Sequence, residues 1–293
     1  MEWNVLEPIR QKAYAKINLS LDILGKRPDG YHEVSMVMQQ ISLHDLIEIH
    51  NGDKPGITLT SNKSKLPLNR NNLVYRAAEL LAEYHGINLM KESLRIHVEK
   101  QIPVAAGLAG GSADAAATFW ALGRYWKKQV PLRRLMELGE GLGADIPYCL
   151  MGGTALAEGI GEQLTSLKLK SPLWLVLVKP LYSASTADVY RAFRIEEISE
   201  RPDNQKLIHA LEKGNLAMMS ESMGNVLQPV TTAMIPEIEQ IRKKLIEFNA
   251  FAAMMSGSGP TVFGLYKTRQ RAEAAYEKLK RIYRDTHLAY MVR

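Results

Sequence analysis

Cysteine is almost missing from this sequence: Cys149 is the one thiol in 293 residues. That excludes an internal disulfide, a Cys-x-x-Cys redox pair and a cysteine-rich zinc site, and it fits a reducing compartment. Long apolar runs are missing as well. No uninterrupted stretch approaches the roughly 18 residues that span a bilayer, and the opening MEWNVLEPIR lacks the basic-then-apolar form of a secretory signal; a cytoplasmic protein with no membrane partner is expected. Compositional bias is absent too. With 46% hydrophobic residues, 23% charged residues, 21 Gly and 13 Pro, the chain is neither disordered nor collagenous, and it shows no internal repeat. What is present is a surplus of basic residues, 37 Lys+Arg against 31 Asp+Glu, a formal charge of +6. Such a surplus suits nucleic acid, a membrane surface or a small phosphorylated ligand, and equally an ordinary basic surface. A length of 293 residues predicts two domains.

Residues 13–23, AYAKINLSLDI, alternate apolar and polar with period 2. This predicts a half-buried strand with Lys16 and Asn18 two residues apart on its polar face. The turn signal Arg27-Pro28-Asp29-Gly30 follows, then apolar-rich runs at 34–41 and 46–50, so the chain opens as antiparallel strands. A short strand is expected at 57–60. Asn72 can cap a helix whose stripe is Leu73, Ala77, Leu80, Leu81 and Tyr84, with Gly86 ending it. A strand at 94–100, a helix from Pro131 to Leu142 and strands at 154–157 and 173–178 come next, with a domain boundary near 160. Beyond it, helices (205–213, 215–227, 236–249, 268–284) and strands (251–256, 261–266, 287–292) mix without steady βα alternation. The fold class read from this is α+β in both halves. The four Trp and the Met residues at 218, 219, 223, 254 and 255 read as core, and the basic last helix, interrupted by Glu273 and Glu277, as a solvated face.

The most informative stretch is Pro103–Ala116, PVAAGLAGGSADAA. Gly107, Gly110 and Gly111 precede Ser112, which can cap a helix with a stripe of Ala115, Ala116, Phe119, Leu122 and Trp126. A glycine loop feeding a helix start presents backbone N–H groups and the positive end of the dipole, an anion site most often filled by phosphate. A tight strand-to-helix turn would use the same residues. The loop is neither a Walker A sequence, since no Lys follows Gly111, nor a dinucleotide fingerprint, since GxGxxG fails. Ser256-Gly257-Ser258-Gly259-Pro260 is a second glycine loop that reads equally as a hairpin turn, and Asp145 in GLGADIPYCL reads alone as a turn former. No carboxylate cluster able to cage a metal is visible, so no metal-ligating residue is assigned.

Three segments together, KAYAKINLSLDI, PVAAGLAGGSADAAA and MMSGSGPTVFGLY, resemble the GHMP kinases, named for galactokinase, homoserine kinase, mevalonate kinase and phosphomevalonate kinase. They occur in the family's order and cover essentially the whole chain. The central motif matches the family's P-x-x-x-G-L-x-G-S/G-S-S/A pattern, with Ala113 and Asp114 where other members often carry Ser or Ala. AKINLSLDI followed by KRPDGYHEV, and GADIPYCL, are similar to one branch, which acts on a diphosphocytidyl alcohol. The resemblance implies the two-domain GHMP fold: a ribosomal-protein-like α+β domain over 1–160 and a ferredoxin-like α+β domain over 161–293, with donor and acceptor meeting in the cleft between them. It implies transfer of the γ-phosphoryl of ATP to the 2-hydroxyl of 4-diphosphocytidyl-2-C-methyl-D-erythritol, in the non-mevalonate route to isopentenyl diphosphate, leaving ADP. Mg²⁺ would be carried with the ATP. By position, Lys16 and Asp145 correspond to the catalytic lysine and aspartate. Pro103, Val104, Ala105, Ala106, Gly107, Leu108, Ala109, Gly110, Gly111, Ser112 and Ala113 form the ATP phosphate loop. Asn18, Tyr31 and His32 match the cytidyl-substrate pocket, and Tyr182 is a candidate to stack on the cytosine.

Other readings stay open on the sequence. Lys16 could be an edge-strand charge that discourages aggregation, and Tyr31 and His32 a solvated turn after Gly30. Another GHMP kinase would share the loop but not RPDGYHEV. A nucleic-acid-binding module would use the +6 charge, but needs basic clusters interleaved with aromatics, which the sequence lacks. An ATP-binding regulatory protein is a third reading. No nucleic-acid partner is expected, and the state is monomer or homodimer.

Overall fold

The computed structural model describes residues 7–293. In chain order the elements are β1 (Ile9–Asn18), β2 (Ser20–Lys26), β3 (His32–Asn51), β4 (Gly56–Ser61), α1 (Leu73–Tyr84), β5 (Ser93–Glu99), α2 (Gly110–Tyr125), α3 (Leu132–Glu140), α4 (Ile146–Met151), β6 (Thr154–Gly159) and β7 (Gln163–Leu167). There follow β8 (Trp174–Lys179), α5 (Thr186–Ala192), α6 (Asn204–Lys213), α7 (Leu216–Ser222), β9 (Gly224–Asn225), α8 (Gln228–Met234), α9 (Glu237–Glu247), β10 (Ala252–Met255), β11 (Val262–Tyr266), α10 (Arg269–Leu279) and β12 (Asp285–Tyr290). The mixture is α+β, as the sequence predicts. Two compact units interleave along the chain. One holds the chain through Ala15, His44–Ile102 and Ala109–Met151; the other holds Lys16–Leu43, Pro103–Leu108 and Gly152–Arg293.

In the first unit the far half of β3 pairs antiparallel with β5 from Leu46↔Glu99 to Asn51↔Leu94, and β4 runs parallel to β5. Helix α1 starts where Asn72 Oδ1 accepts from Val74 N at 3.0 Å, and it stops at Gly86, whose φ of +65° suits glycine. Its buried residues are Val74, Ala77, Ala78, Leu81 and Ala82. The stripe is therefore turned slightly from the expected one, and Tyr84 lies exposed. Helix α1 packs on α2, whose Ala-rich turns are buried nearly all round. Small side chains permit that, since little separates helix axis from neighbour. Gly139 in α3 does the same for α4: a Cβ there would sit 2.6 Å from Ile146 Cγ2.

In the second unit β2 and β3 form a hairpin over the Arg27–Gly30 turn, with Lys26↔His32 and Asp22↔Ser35 in register. β3 then pairs antiparallel with β6, and β6 with β7. A separate four-stranded antiparallel sheet has the order β10-β11-β8-β12. Taken with α9 and α10 on its face, this is the ferredoxin-like β-α-β-β-α-β pattern. Ile238, Ile241 and Leu245 of α9 are buried against it, and Thr268 Oγ1 accepts from Arg271 N at the start of α10. Exposed pairs Arg269–Glu273 and Lys280–Glu277, both 2.7 Å, make that helix a solvated face.

Several expectations need correction. The strand at 13–23 is two strands, β1 and β2, bent at Leu19, and it is buried on both faces. The runs at 34–41 and 46–50 are one strand of 20 residues, because nothing between them breaks the alternation, and Asp45 is buried within it. The helix expected at 215–227 ends at Ser222, gives way to β9, which pairs with β2, and restarts as α8. Helix α5 was not foreseen. Of the tryptophans, Trp120, Trp126 and Trp174 are half-buried rather than core, as are Met218 and Met223, whereas Met219, Met254 and Met255 are buried; Trp3 lies outside the described residues.

Candidate active site

Lys16 and Asn18 do share a face, but it points inward. Lys16 is 5% and Asn18 0% exposed. Lys16 Nζ donates to Asn18 Oδ1 at 2.8 Å, and Lys16 N donates to Leu108 O at 3.2 Å. A buried ammonium held on a side-chain amide is not an edge-strand charge, since burying such a charge costs several kcal/mol without partners. The backbone bond ties the lysine's own strand to the glycine loop.

The loop itself carries left-handed residues at alternate positions: Ala105 (φ 51°), Gly107 (φ 74°) and Ala109 (φ 54°). Alternation of hand turns successive amides to one side and makes a concave anion nest. The expected capping role of Ser112 is not seen. The cap of α2 is Ala109, without a side-chain hydrogen bond, and the first helical bond is Ala113 N to Ala109 O at 2.9 Å. Ser112 lies in the first turn instead, so the amides there are left to a ligand or solvent. Val104, Ala105 and Gly111 are exposed; Pro103, Gly107, Ala109, Gly110 and Ser112 are half-buried; Ala106, Leu108 and Ala113 anchor the loop from below. A Cβ on Gly107 would meet Ser256 O at 2.3 Å, which fixes glycine there by space as well as by φ.

In the first unit, Asp145 is half-buried immediately before α4, its carbonyl accepting from Cys149 N at 3.0 Å. Sequence reasoning missed the charged cluster below the start of α2. Lys100 Nζ donates to Asp45 and, at 2.7 Å, to Asp114 Oδ2. Asp45 Oδ1 also accepts from Gln101 N (2.5 Å) and Ile102 N (2.8 Å). Burial disfavours the Lys100 ammonium, yet Asp114 and Asp45 outweigh it and hold it above the ordinary lysine range. Burial pushes the Asp114 carboxyl well above the usual range despite Lys100. Its Oδ1 has no hydrogen-bond partner among the described residues.

In the second unit, Tyr31 projects from the hairpin turn, 60% exposed, and His32 opens β3. The His32 ring lies 5.2 Å from the Tyr190 ring and 6.2 Å from Phe193. Burial, with a smaller contribution from Lys26, lowers its pKa, so the ring is neutral at pH 7. Tyr182 is 69% exposed. The aromatic beside His32 is Tyr190, on the unforeseen helix α5; the Ser185-Thr186 start of that helix was the available signal. Among the described residues no group of three or more His, Cys, Asp or Glu side chains could hold a metal, and no helix is long and apolar enough to cross a membrane.

Known proteins resemble this chain along nearly its whole length. A model of the GHMP kinases N terminal domain matches residues 72–153, and a model of the GHMP kinases C terminal domain matches 207–285. A 4-diphosphocytidyl-2-C-methyl-D-erythritol kinase of Alkaliphilus metalliredigens is 46% identical over 97% of this chain and 96% of its own length. One of Pelotomaculum thermopropionicum is 51% identical over 92% and 93%. A crystal structure of 4-(cytidine 5'-diphospho)-2C-methyl-D-erythritol kinase superposes with a TM-score of 0.83 at 33% identity, covering 97% of this chain and 99% of the other. Homoserine kinase from Cytophaga hutchinsonii shares the fold, with a TM-score of 0.76 at 17% identity over 100% and 97%. With both domain models in order and relatives this similar along nearly its whole length, the chain belongs to the GHMP kinase family.

Proposed function

We propose that this protein transfers the γ-phosphoryl of ATP to the 2-hydroxyl of 4-diphosphocytidyl-2-C-methyl-D-erythritol, releasing ADP, as a step toward isopentenyl diphosphate and isoprenoids. The observation that carries the reading is the buried Lys16–Asn18 pair fastened to a left-handed glycine loop, in a chain whose relatives at 46% and 51% identity carry that enzyme's name.

In this reading the loop from Pro103 to Ala113 binds the phosphates of ATP with its amides, since the geometry of alternating hand suits an anion. The substrate oxygen attacks the γ-phosphorus as the bond to the β-phosphate bridging oxygen breaks. Asp145 takes the hydroxyl proton, and Lys16 neutralises charge that develops on the transferring group. Mg²⁺ carried with the ATP would supply further neutralisation. Asn18 holds the lysine and lies on the acceptor side. Tyr31 and neutral His32 face the cytosine, His32 offering one donor and one acceptor. Tyr190, adjacent to His32, is a better candidate than Tyr182 to stack on that base. The two family-matched regions, 72–153 and 207–285, are consistent with a boundary between catalytic halves near residue 160. We place the protein in the cytoplasm, working as a monomer or homodimer without nucleic acid.

The test is product identification. Purified protein, ATP, Mg²⁺ and the diphosphocytidyl alcohol should give ADP and a new phosphomonoester resonance coupled to carbon 2 by ³¹P NMR. A phosphomonoester at another hydroxyl, or none, contradicts the reading.

A further inference from the structure

Ser256 lies in the turn between β10 and β11 and is wholly buried. Its hydroxyl donates to Gly107 O at 3.0 Å and accepts from Asn18 N at 3.3 Å. One oxygen thus joins the centre of the glycine loop to the residue on which Lys16 Nζ rests, at 2.8 Å. The two loops also meet backbone to backbone. A Cβ on Gly107 would lie 2.3 Å from Ser256 O, and one on Gly257 would lie 3.1 Å from Gly107 O, so each glycine clears space for the other chain. Thr261 N reaches Ala106 O at 3.4 Å.

Something must hold the serine in turn, and Asn225 does. It is 8% exposed, and its Nδ2 donates to Met255 O (2.9 Å) and to Gly257 O (2.8 Å), the carbonyls on either side of Ser256. Its Oδ1 accepts from Leu227 N at 3.0 Å. Both amide hydrogens and the oxygen are used, so the side chain has one orientation. Ser256 N to Thr261 O and Gly259 N to Ser256 O, both 2.9 Å, close the turn.

We propose that Ser256, clamped by Asn225, is a positioning residue: it sets the spacing between the Lys16–Asn18 pair and segment 106–108 of the phosphate loop. The proposal rests on the kinase reading above. A merely structural serine would change the amount of folded protein and leave the constants of each folded molecule alone. A positioning serine changes those constants, because small displacements of reacting groups are costly in rate.

Ser256→Ala, Ser256→Cys, Asn225→Ala and the Ser256→Ala/Asn225→Ala double variant test this, with kcat, both KM values and the ADP dissociation constant from calorimetry, each per folded molecule. The expected result for Ser256→Ala is a kcat lower by roughly 10- to 100-fold and weaker ADP binding, with the KM of the cytidyl alcohol changed less than kcat, since Asn18, through its backbone N–H, is the one residue assigned to that substrate that bonds to Ser256. Asn225→Ala should shift the same constants, and the double variant should be no worse than the poorer single one, because both act through one contact. Should Ser256→Ala fail to fold, Ser256→Cys fills the same space with a weaker donor and should show the same split. The proposal is overturned if kcat and ADP affinity per folded molecule stay within about twofold of the original in the folding variants, or if the two losses simply add. The ADP measurement needs no acceptor alcohol, so it reports on the loop even if the chain phosphorylates something else; normal turnover with unaltered constants in the variants would remove the positioning role alone.

Discussion

A Cβ on Gly107 would strike a carbonyl oxygen at 2.3 Å in a residue whose φ is +74°, whereas one on Gly111 would meet only Leu73 Cδ1 at an ordinary 3.6 Å. The glycines of one motif therefore have different duties. Gly107→Ala should weaken ADP binding at least tenfold, about 1.4 kcal/mol, and lower the melting temperature, while Gly111→Ala should leave both nearly unaltered; calorimetry and thermal melts decide, and equal effects at the two positions would contradict the packing account. Lys16→Ala and Asp145→Asn should each cost about 100-fold or more in kcat, with ADP affinity largely kept. His32 titrates below the ordinary 6.5 because burial disfavours its charge. If the neutral ring reads the cytosine, the KM of the cytidyl alcohol should be flat from pH 8 down to 6.5 and rise only in more acid solution, and a rise that begins above pH 7 would exclude that role. Period 2 made the shared face of Lys16 and Asn18 legible. Their burial was not, because the groups that surround them come from other parts of the chain: Met36 Sδ accepts from Asn18 Nδ2, and Leu108 and Ser256 accept from the backbone N–H groups of Lys16 and Asn18.

At the scale of elements, caps and punctuation were readable and tertiary overrides were not. Asn72, Gly86, Pro131 and Thr268 lie where their backbone chemistry puts them. Asn72→Ala should cost about 1 kcal/mol, the usual worth of an N-cap, read as a lower denaturation midpoint with unaltered m-value. The strand break at Leu19, the uninterrupted β3 and the two-residue β9 escaped notice because each is decided by a partner strand, not by local propensity. The Asp45–Lys100–Asp114 cluster escaped for the same reason: β3, the end of β5 and α2 each supply one member. It has one negative charge more than positive when both carboxyls are ionised. Asp114 has its folded-state pKa raised above the ordinary value, so its contribution to stability is fully present below that ordinary value of 3.8 and is lost as pH climbs through the folded one. Asp114→Asn, which cannot ionise, should accordingly gain on the original protein in melting temperature between pH 4 and pH 8. A difference that stays constant or shrinks across that range would show that Asp114 is carried as a well-compensated anion.

For the molecule as a whole, the net charge of +6 mattered less than its distribution. Many of the basic side chains are matched by carboxylates on exposed helical turns, as in Arg269–Glu273, Arg191–Asp188 and Lys280–Glu277; these pairs add nothing to the surplus and are worth a few tenths of a kcal/mol each. Phosphate recognition is assigned instead to loop amides and one buried lysine. The order of the three motif segments made the family legible along the chain. The interleaving of the two compact units was not, since it depends on β1 and β3 passing from one to the other. The most direct measurement is ADP release with Mg²⁺-ATP and, in parallel, the diphosphocytidyl alcohol, mevalonate and homoserine. The account predicts rapid release with the first, at least about 100-fold above the others in kcat/KM, and release slower by about 100-fold or more with Asp145→Asn. Preference for mevalonate or homoserine would contradict it, leaving a GHMP kinase with a different acceptor.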